Sequence, residues 1–165
     1  MITFGISVGT SRTGICVLQD GALIEKRIHD YPGIWSDDKL HAILKRYAQY
    51  LHRYPITDIV IKIPPLSRHT NAMRRLIRRI EALAKEHYCT FDLITKTEIK
   101  GTLTLRTTGE IIKYAKMLYP ELSARYHKGA RSNHVFDKKL YEAVLAAHIY
   151  QERRKLKKLR NITTE

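Results

Sequence analysis

Apolar and polar positions change period several times along this chain, and the changes divide it into elements. Apolar residues dominate Thr3 to Val8 and again Gly14 to Leu18, on either side of a Gly/Thr/Ser-rich turn from Gly9 to Gly14. A tighter Asp20-Gly21 turn leads into a third run, Ala22 to Ile28. Short apolar runs joined by glycine-containing turns predict three strands in an antiparallel meander. The period then lengthens. After a loop holding Tyr31-Pro32-Gly33, Ser36 precedes Asp37 and Asp38, a capping hydroxyl followed by two acids that suit a helix N-terminus. Leu40, Ile43, Leu44, Tyr47 and Leu51 then recur at helical spacing until Pro55 closes the segment.

The β-branched run from Asp58 to Ile63, stopped by Pro64-Pro65, predicts a buried parallel strand. The helix between it and the meander requires a right-handed crossover, which sets it beside an earlier strand. A helix starting near Asn71 carries Met73, Ile77, Ile80 and Ala84 on one face, widened by Leu76 and Leu83. Its outer face holds Arg74 with Arg78 and Arg75 with Arg79, like-charged i,i+4 rows that repel. Cys89 to Thr95 predicts another strand, Thr97 to Gly101 a short helical turn, and Thr107 or Thr108 the start of a helix running to Pro120. From Ser123 to Val135 no period holds, and a mobile basic loop is expected. The last helix begins at Phe136-Asp137 and includes Leu140, Ala143, Val144, Ala146 and Ala147, whose small side chains permit close packing on a sheet. Beyond Glu152, RRKLKKLR from Arg153 to Arg160 either extends that helix into solvent or frays as a cationic tail. This order predicts an α/β domain over 1–152, one mixed five-stranded sheet with helices on both faces, followed by a basic extension over 153–165.

Charge narrows the function. Among 165 residues, 30 are Lys or Arg and 16 are Asp or Glu, a formal net charge of +14. Such a balance on one small domain favours a polyanion, nucleic acid before an anionic membrane surface. No apolar run reaches membrane-spanning length and no signal-peptide pattern opens the chain, so a cytoplasmic protein without a membrane partner is expected. Cys16 and Cys89 lack the paired spacing of a zinc site and read as reduced core thiols. The histidines show no ligand spacing either; His87 and His148 follow apolar helical faces. The candidate phosphate contacts are Arg12, Arg68, Arg74, Arg75, Arg78, Arg79, Lys100, Arg106, Lys128, Arg131, Arg153 and Arg154. Tyr114, Tyr119, Tyr126, Tyr141 and Tyr150 lie among these charges; most read as core or interface residues, with base stacking as the alternative.

The element order, together with GISVGTSRTGICVL from Gly5 to Leu18, resembles the ribonuclease H-like fold and its RuvC-type Holliday-junction resolvase branch. YqgF-type relatives open with a similar pattern. The later segments favour the RuvC type: VIKIPP from Val60 to Pro65, Asn71 opening a long helix, TKTEIKGTLT from Thr95 to Thr104, and YEAVLAAHI from Tyr141 to Ile149. The resemblance implies four carboxylates holding two divalent ions, Mg2+ or Mn2+, that cleave phosphodiesters in four-way DNA junctions, and a homodimer. Carried over residue by residue, the acid of the first strand falls on Ser7 and that of the fourth strand on Lys62. The last helix keeps Glu142, but its earlier acid falls on Lys139, with Asp137 nearby on another helical face. Clustered carboxylates are what retain paired hard cations; a serine and two lysines in their place argue against two-metal hydrolysis. The implied reading is an inactive RuvC-like protein that binds DNA, branched DNA included, through a basic surface and needs no cofactor. Two alternatives stand: an active endonuclease using a relocated set among Glu98, Glu110, Asp137 and Glu142, and an adaptor whose altered site docks a protein.

Overall fold

The computed structural model describes residues 1–123 and 134–164, with side chains in the second stretch from Lys138 onward. The expected basic loop, with His127, Lys128 and Arg131, and the side chain of Asp137 lie outside the described residues. Three strands form the meander, β1 (Ile2–Ser7), β2 (Arg12–Gln19) and β3 (Ala22–Asp30). Asp20 and Gly21 both have positive φ, 46° and 85°, the backbone that a two-residue hairpin with the native strand twist demands. The first helix, α1 (Asp37–Arg53), is capped by the Ser36 side chain, which accepts from the Lys39 amide. It returns the chain to β4 (Asp58–Ile63), parallel to β1. Helix α2 (Asn71–Glu86), capped by Thr70, leads in the same way to β5 (Thr90–Thr95). The strand order is β3-β2-β1-β4-β5, the mixed five-stranded sheet that the sequence predicts.

The alternation of side chains along a strand decides what each face meets. Phe4 and Ile6 of β1, Ile15 and Val17 of β2, and Ile59, Ile61 and Ile63 of β4 pack with α1 and α2 in one core. Cys16, Leu18 and Val60 face the second core, formed with α3 (Lys96–Leu103), α4 (Thr108–Leu118) and α5 (His134–Thr163). Both α3 and α4 start with capping boxes, Thr95 with Glu98 and Thr107 with Glu110. The predicted turn at Thr97 to Gly101 is thus an eight-residue helix; the reciprocal Thr95–Glu98 bonds supply the initiation that so short a segment needs.

Helix α5 lies on the second face and is nearly all buried from Leu140 to Gln151. Glycines allow its approach: a Cβ added at Gly14 would lie 2.3 Å from the Lys139 carbonyl, and one at Gly5 would lie 2.5 Å from the Ala143 oxygen. At the far end Gln151 donates to Thr3 Oγ1 and to the Leu18 carbonyl while accepting from the Gly21 amide. Tyr150 donates to Asp58 Oδ1 at 2.6 Å, fixing the helix to the start of β4. The segment from Arg153 continues the same helix to Thr163, so extension rather than fraying describes it. Among the described residues no helix is long and apolar enough to cross a membrane.

A lysine-lined candidate site on the sheet

Ser7 and Lys62 are paired neighbours on parallel strands, and both point to the α5 face because each alternates with core residues of the opposite face. Glu142, on the buried face of α5, meets them. Its Oε2 lies 2.6 Å from Lys62 Nζ and accepts at 3.4 Å from Ser7 Oγ. Lys96, the first residue of α3 beyond the end of β5, brings Nζ to 3.6 Å from Glu142 Oε1 and also donates to Thr108 Oγ1. One turn before Glu142, Lys139 donates to the Val8 carbonyl at the mouth of the β1–β2 turn. The four positions inferred from the sequence, Ser7, Lys62, Lys139 and Glu142, therefore converge, and Lys96 joins them.

The Glu142 side chain is 1% exposed, and among the described residues its Oε1 has no hydrogen-bond partner. A buried carboxylate is tolerated only when compensated, and here three ammonium groups surround it. That excess of positive charge has a cost. Burial pushes Lys139 down from an ordinary pKa of 10.5 to about 8, with Lys62 adding repulsion and Glu142 opposing. Lys96 is likewise brought to about 8, chiefly by burial and by neighbouring Lys138.

These groups do not suit a pair of divalent ions. Hard cations need several anionic oxygens, whereas among the described residues the pocket offers one carboxylate, already engaged by Lys62. Among the described residues no three His, Cys, Asp or Glu side chains gather in a metal-binding group. Glu98 and Glu110, the relocated acids of the active-nuclease alternative, are held in the two capping boxes, and Glu98 also lies 4.0 Å from Arg153.

Solved structures place this architecture. The chain superposes on Thermus thermophilus RuvC with a TM-score of 0.71 at 15% identity, covering 94% of this chain and 97% of that one. The fold is that of RuvC. RuvC from the same organism in complex with a Holliday junction gives a TM-score of 0.70 at 15% identity, over 93% of this chain and 96% of the other. Fowlpox virus resolvase in complex with its junction DNA gives 0.56 at 12% identity, over 93% and 98%. No family model matches the sequence, and no curated protein does. The RuvC-like, ribonuclease H-like architecture spans nearly the whole chain.

The other candidate residues are dispersed over this RuvC-like frame. Half-buried Arg12 pairs with Asp30 across the β2–β3 ladder, near Lys139. Arg68 is exposed in the turn after β4. Arg74, Arg75, Arg78 and Arg79 line the outside of α2, on the sheet face opposite the pocket, with Arg75 bridged to Asp37 of α1. Lys100 is half-buried on α3 and Arg106 exposed before α4. Arg153 and Arg154 sit on α5 just past its buried stretch, Arg153 donating to Thr102 and Arg154 lying over the Tyr150 ring. The basic residues thus form separate patches. Tyr119, Tyr141 and Tyr150 are buried, which removes their faces from base stacking, and Tyr126 lies outside the described residues. Cys16 is a buried free thiol in β2, whereas Cys89 is a half-buried free thiol just before β5, not within a strand.

Proposed function

We propose that this chain is a non-cleaving RuvC-like nucleic-acid-binding protein, which engages DNA, branched DNA included, and holds a backbone phosphate at its lysine pocket without a divalent ion. The observation that carries this reading is Lys62 Nζ at 2.6 Å from Glu142 Oε2, with Lys96 and Lys139 beside the pair. In a two-metal site the cations both hold the scissile phosphate and stabilise the attacking and leaving oxygens. Lysine ammonium groups supply the holding, as compact point charges, but generate no hydroxide nucleophile. The net charge of +14 and the solved RuvC and resolvase complexes with junction DNA support the same ligand class.

The test uses labelled four-way junctions, duplexes, flaps and RNA–DNA hybrids with the full chain. Binding is expected to persist in EDTA and to fall steeply with salt, as phosphate neutralisation requires. No cleavage is expected with Mg2+ or Mn2+. Specific cleavage abolished by Glu142→Ala would overturn the reading. A second reading is an adaptor or homodimer that uses the end of α5, favoured by Leu156, Leu159 and Ile162, which are 55%, 61% and 72% exposed at a spacing of three. Sedimentation of the full chain and of one ending at Arg154 separates the two readings.

A further inference from the structure

A groove of about 590 Å³ lies on the opposite sheet face from the lysine pocket, between edge strand β3 and helix α1. Arg27 and His29 reach it from β3, alternating outward, and Arg46, Gln49, Tyr50 and Arg53 from α1 at helical spacing. None of these residues takes part in the pocket around Glu142.

The hydrogen bonds of this groove set its polarity. Arg46 Nη1 is 2.9 Å from His29 Nδ1, and a guanidinium only donates, so Nδ1 is the bare acceptor nitrogen. Nε2 then carries the proton and donates to Tyr50 Oη at 2.7 Å. Tyr50 accepts from the imidazole, so its own O–H hydrogen remains for another acceptor. Burial, with Arg46 and Arg27 adding to it, pulls His29 down to about 4, and burial pushes Tyr50 up to about 12. The imidazole is therefore neutral and the phenol protonated across the physiological range. Arg27 and Arg53 have side chains 65% and 68% exposed, and their distances to Glu25 are 3.5 and 3.9 Å. Those spacings are electrostatic neighbours rather than tight bidentate pairs, leaving both guanidinium forks able to take a tetrahedral anion. Glu25 itself accepts from the Tyr54 hydroxyl. Three guanidinium groups against Glu25 and Asp30, the latter already paired with Arg12, leave the groove net positive, with donors converging on it and its one imidazole acceptor nitrogen already in use.

We infer that the β3–α1 groove is a second phosphate-binding site, built from Arg27, Arg46, Arg53 and the Tyr50 hydroxyl. Phosphate chemistry has two sources here, the backbone of a nucleic-acid strand and the phosphate of a free mononucleotide. The site is independent of the lysine pocket, so it stands whether or not that pocket holds DNA.

The experiment titrates the full chain with inorganic pyrophosphate, a 5′-deoxymononucleotide and a twenty-nucleotide single strand, following the His29 ring and the α1 amides by NMR. All three probes are expected to shift these signals in wild type, and Arg27→Ala with Arg53→Ala is expected to weaken each by at least about tenfold. Both residues are exposed, so this variant keeps the wild-type spectrum elsewhere. A strand binding at least about tenfold tighter than the mononucleotide assigns the site to nucleic acid; equal affinity assigns it to a free nucleotide. Unshifted groove signals with every probe up to about 10 mM, or equal shifts in the double variant, would overturn the inference.

Discussion

At the residue scale, Glu142 is held in place by its lysines. Among the described residues its direct partners are Lys62, Lys96 and the Ser7 hydroxyl, so removing either side of the 2.6 Å pair strands the other in a buried site. Glu142→Gln is expected to lower unfolding stability in urea by about 3–5 kcal/mol, whereas Lys62→Met combined with Glu142→Leu recovers most of that loss. Lys139 gives the opposite sign. Its folded pKa, about 8, lies below the ordinary 10.5, so the folded chain holds this proton less firmly than the unfolded one. Below about 8 both states are protonated and the penalty is complete; between the two values the unfolded state binds more protons and stability rises with pH. Lys139→Met is expected to exceed wild type by up to about 3 kcal/mol at pH 7, in urea melts, with the margin closing towards pH 10.5. Ser7, Lys62, Lys139 and Glu142 were legible through the resemblance to RuvC-type resolvases, whose acid positions fall on them, and not from periodicity alone. Lys96 escaped because nothing local reveals that the first turn of α3 packs against α5 and brings its ammonium to Glu142. Arg27, Arg46 and Arg53 escaped for a similar reason: each looks like an ordinary surface charge until β3 and α1 are known to pack.

At the element scale, two glycines decide how close α5 comes to the sheet. The atoms that a Cβ at Gly14 would strike are helix backbone, not the yielding tip of a side chain. Gly14→Ala is expected to cost about 1–3 kcal/mol or more, measured as a lower midpoint in thermal melts, and to displace Glu142 from Lys62. Ending the chain at Arg154 removes residues that are exposed and retains the contacts of Arg153 and Arg154. That truncation is expected to change stability by less than about 1 kcal/mol while weakening DNA binding severalfold and flattening its salt dependence. Periodicity made most elements readable within a residue or two, since β-branched runs and caps are local signals. The length of α3 was not, because its eight residues depend on a reciprocal cap rather than on an apolar stripe.

At the scale of the whole molecule, the two cores make the sheet a partition, with the lysine pocket on one side, the arginine-lined groove and the arginine rows of α2 on the other, and the basic end of α5 beyond the pocket. That division is invisible in the net charge, which counts residues without placing them. Helix α5 links the regions by crossing the sheet from the pocket at Ser7 to Gln151 beside Thr3, then projecting past it. Along an unbroken α-helix the rise from Lys139 to Arg160 is about 32 Å. One turn of B-form DNA is about 34 Å. A duplex that contacts both Lys139 and the terminal basic cluster, bridging the buried stretch of α5 between them, therefore takes its two contacts about one helical turn apart, on the same face of the DNA. Hydroxyl-radical footprinting is expected to show two protected positions separated by about ten base pairs, the outer one lost when the chain ends at Arg154. In that sense α5 is a ruler, with its zero mark at the lysine pocket.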